Sequence, residues 1–143
     1  MSVLVLALMA WVSVATGLPV PADPPTVAFE SSESLWSRVY GDQVFDPETD
    51  GPILGIYDDA TRVIRLPNTW NPYTVRNVSI LLHEVVHDLA VQSGREYECQ
   101  GAEEQEAYET QARFLEAAGM TLADANIVHG EELRLMTMCL PGM

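Results

Sequence analysis

The sequence predicts a small α+β domain, and three observations predict it. Two short apolar runs, 53–57 and 62–66, flank a polar turn and read as a β-hairpin. Downstream, apolar residues recur at helical spacing through 74–93 and 102–118, and a further helical segment follows near the C-terminus. Within the first of these helical segments lies His83-Glu84-Val85-Val86-His87, which at 3.6 residues per turn stacks two imidazoles on one helix face. Strands followed by a run of helices place the chain in the α+β class.

The elements follow in order. Val3 to Leu18 form an uncharged, mostly apolar run. It is shorter than the roughly 20 residues a spanning helix needs. It reads as the core of a signal peptide occupying residues 1–22, with cleavage expected after Gly17 or Ala22, although no positive residue precedes it. An uncleaved N-terminal anchor is the alternative. Either reading puts the remaining domain, 23–143, outside the cytoplasm: secreted, periplasmic or otherwise extracytoplasmic. The proline-rich stretch Asp23 to Thr26 reads as a flexible leader. Ser31 or Ser32 caps a short helix to about Tyr40, with Leu35, Trp36 and Val39 as its apolar face and Gly41 as its stop. Asp42 to Pro52 is loop. In the second hairpin strand Arg62 and Arg65 suggest the partial exposure of an edge or end strand. The pentad helix is expected from near Thr74 to Ser93, stopped by Gly94. A helix from Ala102 to Ala118 ends at Gly119, and Thr121 with Asp124 resembles a capping box that starts the last helix, weakened in its middle by Gly130.

Composition bounds the partners. The 143 residues support one domain with a modest core. Acids number 21 against 7 arginines with no lysine, a formal net charge of −14. Nucleic acid is excluded as a partner, because phosphate binding needs clustered cations. The negative field repels acidic substrates and favours cationic ones or metal ions. The two cysteines, Cys99 and Cys139, fit one disulfide in an oxidising compartment better than a thiolate metal site, since they lack paired spacing.

The pentad carries the chemistry. His83 and His87 are candidate ligands of one zinc ion per chain, and Glu84 projects beside them as general base toward a zinc-bound water. A catalytic zinc keeps three protein ligands, and the third is sought among Glu103, Glu104, Glu106 and Glu109 of the next helix. Glu104 is preferred over Glu106, with Glu103 behind both. Glu104, Tyr108, Gln111 and Leu115 share one face and place polar support beside a ligand. Tyr108 and His129 are the candidate oxyanion donors.

The pentad followed by Glu104-Gln105-Glu106-Ala107-Tyr108 resembles the gluzincin superfamily of zinc metallopeptidases, and among them short secreted bacterial members. That resemblance covers about residues 53–118 and implies a zincin-like fold. It also implies a Glu104 ligand with Ala107 letting the helices approach, and a sheet edge that holds extended peptide. Tyr108 departs from the pattern, standing where an acid or amide is usual, and Asp88 stands where an uncharged residue is usual. The expected activity is zinc-dependent hydrolysis of peptide or protein substrates. The alternative is a metal-binding or protein-interaction domain without turnover, for which Glu84 would have no use.

Overall fold

The computed structural model describes residues 1–46 and 48–140. Pro47, within the stretch read as loop, and 141–143, at the end of the expected domain, lie outside the described residues. The described elements are α1 (Ser2–Thr16), β1 (Thr26–Glu30), α2 (Ser32–Tyr40), β2 (Ile56–Asp58), β3 (Val63–Pro67), α3 (Val75–Ser93), α4 (Gln100–Glu116) and α5 (Gly130–Thr137). This is an α+β architecture, with α3 at its centre.

Local chemistry sets the ends of α3. Thr74 is extended and its hydroxyl accepts from the Asn77 N–H, while Gly94 adopts φ 73°, a conformation that glycine reaches without strain. Between these ends every residue from Ser79 to Ala90 is buried. A helix buried on all sides needs neighbours on all sides, and α1, α4 and the hairpin strands supply them. Leu81, Leu82, Val85 and Leu89 join Ile64 and Leu66 of β3 in the main core.

The sheet has the order β1-β3-β2, with β1 parallel and β2 antiparallel to β3. Two expectations change here. The leader read at Asp23 to Thr26 runs directly into a strand, because Thr26–Glu30 finds free backbone partners along Val63–Pro67. β3 is consequently the central strand, not an edge. Its arginine is accommodated by carboxylates on both sides: Arg65 lies 3.7 Å from Glu30 of β1 and 3.8 Å from Asp58 of β2. The pairing of β2 begins at Ile56, so Ile53 to Gly55 precede the strand.

The end of the chain also differs. Thr121 and Asp124 do form the reciprocal bonds of a capping box, 3.1 and 3.0 Å. No helix grows from it, because Asn126 turns to φ 54° and interrupts the path. Leu122, Ala125 and Val128 instead pack with Leu115 as a small second cluster. Gly130 is the first residue of α5 and not its middle.

The apolar run near the N-terminus is helical. Val5, Leu8, Met9 and Val12, at helical spacing, are buried against the main core, and Leu18 follows them in. Trp11 meets Phe114 edge-on at 5.4 Å, and Arg113 donates to the Ala15 carbonyl at 2.8 Å. A cut after Gly17 or Ala22 would remove this packing from α3 and α4. No helix among the described residues is long and apolar enough to cross a membrane.

One polar tie fixes α3 against the hairpin. Asp88 is fully buried and accepts from Arg62 through both oxygens at 3.0 Å, and from the Tyr57 hydroxyl at 2.6 Å. Burial and the Asp88 carboxylate together raise the Tyr57 pKa, keeping the phenol a donor. Arg62 sits at φ 56° to reach this position.

Two stability outcomes follow from the packing. In the full-length chain Met9→Ala should cost about 2–5 kcal/mol in urea unfolding, and a midpoint equal to wild type would detach α1 from the folded domain. Arg62→Met strands a buried carboxylate and should cost about 3–5 kcal/mol. A loss below 1 kcal/mol, the size of an exposed pair, would show that the tie is not desolvated.

Candidate metal centre

The site forms where α3 and α4 pack together. Ala107 is completely buried between them, and its small side chain admits the close approach. That approach brings Glu104 of α4 across from the two pentad imidazoles of α3. His87 Nε2 lies 2.9 Å from Glu104 Oε1, and His83 Nε2 lies 3.1 Å from Glu104 Oε2. One ligand atom from each of His83, His87 and Glu104 falls within 4.8 Å of the others, so this group could hold a metal ion.

The far sides of both rings are already occupied. His83 Nδ1 lies 2.9 Å from Gln111 Oε1. The amide is oriented by its own Nε2, which donates to Ser79 Oγ at 3.1 Å, and Ser79 in turn donates to the Arg76 carbonyl at 2.7 Å. Gln111 Oε1 is therefore an acceptor, and His83 Nδ1 carries the proton. His87 Nδ1 lies 3.1 Å from Glu103 Oε1, another acceptor, and is protonated for the same reason. In the neutral rings both Nε2 lone pairs then face the Glu104 carboxylate. Lone pairs on three sides of one point repel unless a proton or a cation lies between them.

The electrostatics without a metal express this. Burial lowers the His87 pKa, but the Glu103 and Glu104 carboxylates outweigh it and hold the ring pKa at about 10. Burial raises the Glu104 pKa, yet the two imidazoles more than offset it and hold the carboxyl well below the usual range. Glu84 behaves oppositely. The residue is 7% exposed, and burial raises its pKa against the pull of the neighbouring histidines.

Glu84, His83 and His87 line a cleft of about 1060 Å³. Gly55, just ahead of β2, lies so close that a Cβ there would stand 3.3 Å from both Cγ and Oε1 of Glu84. Tyr108 also lines the cleft, with its ring 4.5 Å from that of His83. Burial raises its pKa, with Glu104 and Glu84 adding to the effect, so the phenol keeps its proton.

The other sequence-based candidates fall elsewhere. Glu106 pairs with Arg95 and accepts from the Tyr97 hydroxyl. His129 is exposed at the start of α5, 3.4 Å from Asn126 Oδ1, and does not line the cleft. Glu103 occupies the outer nitrogen of His87 instead of facing the centre. Sequence reasoning missed the contact of Glu103 with His87 and the Asp88–Arg62–Tyr57 tie. A signal for the second existed: an aspartate inside an otherwise apolar stretch of a buried helix requires a partner.

No curated protein and no solved structure matches the chain. One family profile, described as a domain of unknown function (DUF6647), matches residues 1–140. The chain therefore belongs to the DUF6647 family.

Proposed function

We propose that this protein is a zinc-dependent metallopeptidase of gluzincin type, acting outside the cytoplasm on peptide or protein substrates. The observation that carries the reading is the commitment of both Nδ1 atoms to outside acceptors, which leaves two Nε2 lone pairs and the Glu104 carboxylate aimed at one point. Two neutral imidazoles and one carboxylate are a donor set suited to catalytic zinc, which keeps a further position open. The zincin-like character of the fold belongs to the same proposal. It is supported by a hairpin ahead of the pentad helix and a ligand-bearing helix after it. The Cys99–Cys139 disulfide is compatible with the extracytoplasmic setting.

His83, His87 and Glu104 would hold the ion. When bound, zinc supplies Lewis acidity, polarising a carbonyl oxygen and acidifying water. Glu84 takes the proton from the attacking water at its carboxylate and returns it to the leaving nitrogen. Its partial desolvation suits that task, because a carboxyl with a raised pKa is a better proton acceptor than a solvated one. Tyr108 keeps its phenol proton and offers it to the oxygen that becomes negative. Gln111 and Glu103 fix the ring tautomers from behind.

Purified protein should contain about one zinc per chain, and His83→Ala should remove it. Full zinc occupancy in His83→Ala would refute the ligand set. Glu84→Gln should retain zinc and lose hydrolysis of a peptide library; turnover at the wild-type rate would take Glu84 out of the mechanism. Glu104→Ala should lose zinc whereas Glu106→Ala keeps it, and the reverse result would reassign the third ligand. Gln111→Leu and Glu103→Ala should each weaken zinc affinity about 10–100-fold. Unchanged affinity in a chelator competition would deny the outer residues their positioning role.

A further inference from the structure

The arginines of the chain are spent away from the cleft. Arg38 is paired with Glu30, Arg62 with Asp88, and Arg95 with Glu106. Arg65 lies between Glu30 and Asp58. Arg76 donates to the Ala125 and Asn126 carbonyls, and Arg113 to that of Ala15. Arg134 lines a separate, smaller pocket. The cleft that holds the pentad is lined by Asp50, Asp59, Glu84, Glu103, Glu104 and Glu132, and among its described lining residues there is neither Arg nor Lys. A divalent ion at the histidines would neutralise only part of this charge. Field lines from like charges concentrate in a cleft with low-dielectric walls, so a ligand there meets a strongly negative potential.

The same cleft has apolar walls. Trp36 and Tyr40 contribute from α2, and Met136 and Met138 from the C-terminal segment. That segment is fixed to the site by two devices. The Cys99–Cys139 disulfide ties it to the start of α4. Gly101 lets it lie against the helix, since a Cβ there would stand 2.4 Å from the Met138 carbonyl oxygen. Methionine adapts to varied apolar side chains without demanding one shape.

We propose that the cleft selects peptides combining apolar side chains with flanking arginine or lysine, and that it rejects acidic peptides. Among the described lining residues no arginine or lysine side chain waits to pair with a free C-terminal carboxylate, so the bound segment is internal to its chain or presents its amino end. For its catalytic meaning this inference rests on the hydrolase reading, but the selection itself is a property of binding.

The test measures binding on full-length Glu84→Gln, with and without zinc, by fluorescence anisotropy. The probes are blocked peptides of equal length sharing a Leu-Phe-Leu centre and flanked by Arg, Gln or Glu. The Arg-flanked peptide should bind at least about tenfold tighter than the Glu-flanked one at low salt, with Gln between and the gap narrowing as salt rises. Glu132→Arg with Asp59→Asn should shrink that gap while leaving zinc content unchanged. Equal affinity of the Arg and Glu peptides, a preference for Glu, or no binding by any of the three would overturn the proposal. Absence of zinc, or turnover that does not depend on Glu84, would instead overturn the hydrolase reading, and the peptide series reads out in either case.

Discussion

The geometry of this protein depends on one carboxylate held between two imidazole nitrogens. Glu104 reaches both Nε2 atoms at 2.9 and 3.1 Å, from a helix that approaches closely because Ala107 is small. With Gln111 and Glu103 occupying the outer nitrogens, the inner three groups share a deficit of positive charge. A proton fills it at the expense of a strongly raised His87 pKa. A divalent cation would fill it more completely, because it would satisfy all three donors together. Packing α3 on α4 thus builds an attraction for positive charge into the helix interface itself.

That interface sits in a helix buried along Ser79 to Ala90, which is an expensive location for five polar side chains. Four of them are partnered. Ser79 serves Gln111, the histidines face Glu104, and Asp88 takes Arg62 and Tyr57. The fifth, Glu84, faces the cleft with a raised pKa. Asp88 and Glu84 show two outcomes for a buried carboxylate. One is ion-paired in place by Arg62 and fixes the helix; the other is turned toward the cleft. The apolar side chains of α1 and β3 that enclose α3 supply the burial that offsets this cost.

Much of this was legible in the sequence because the signals are local. Thr74 and Gly94 delimit α3 by capping chemistry, and Ser31 and Gly41 delimit α2 in the same way. That Glu104 and not Glu106 faces the histidines was readable from helix phase, since Glu104 shares a face with Tyr108 and Gln111; Glu106 is turned to Arg95 and Tyr97. What stayed hidden depends on distant partners. Thr26–Glu30 becomes a strand only because Val63–Pro67 offers a ladder, and that parallel pairing also moves β3 from the edge to the centre. The Thr121 and Asp124 pair has the chemistry of a helix start, yet the cluster around Leu115 draws the chain into turns. A capping box specifies local bonds, and tertiary packing decides whether a helix follows.

The disulfide acquires a particular meaning in this arrangement. Cys99 occupies the N-cap of α4 and makes no side-chain capping bond, so the first turn, with Glu103 and Glu104 close behind, lacks the usual anchor. Acids near a helix start are favoured by the macrodipole, but Glu103 and Glu104 must also tolerate each other beside Glu84. Tying Cys99 to Cys139 closes a 40-residue separation, worth about 4 kcal/mol on the chain-entropy account. It also seats Met138 against Gly101 where a side chain would not fit. α5 itself has no buried residue, so it gains its place from this staple and the small cluster beside it more than from its own packing. The cross-link therefore acts twice at one point: it anchors the start of α4 where no side-chain cap does, and it ties an apolar wall of the cleft to the helix that carries Glu104.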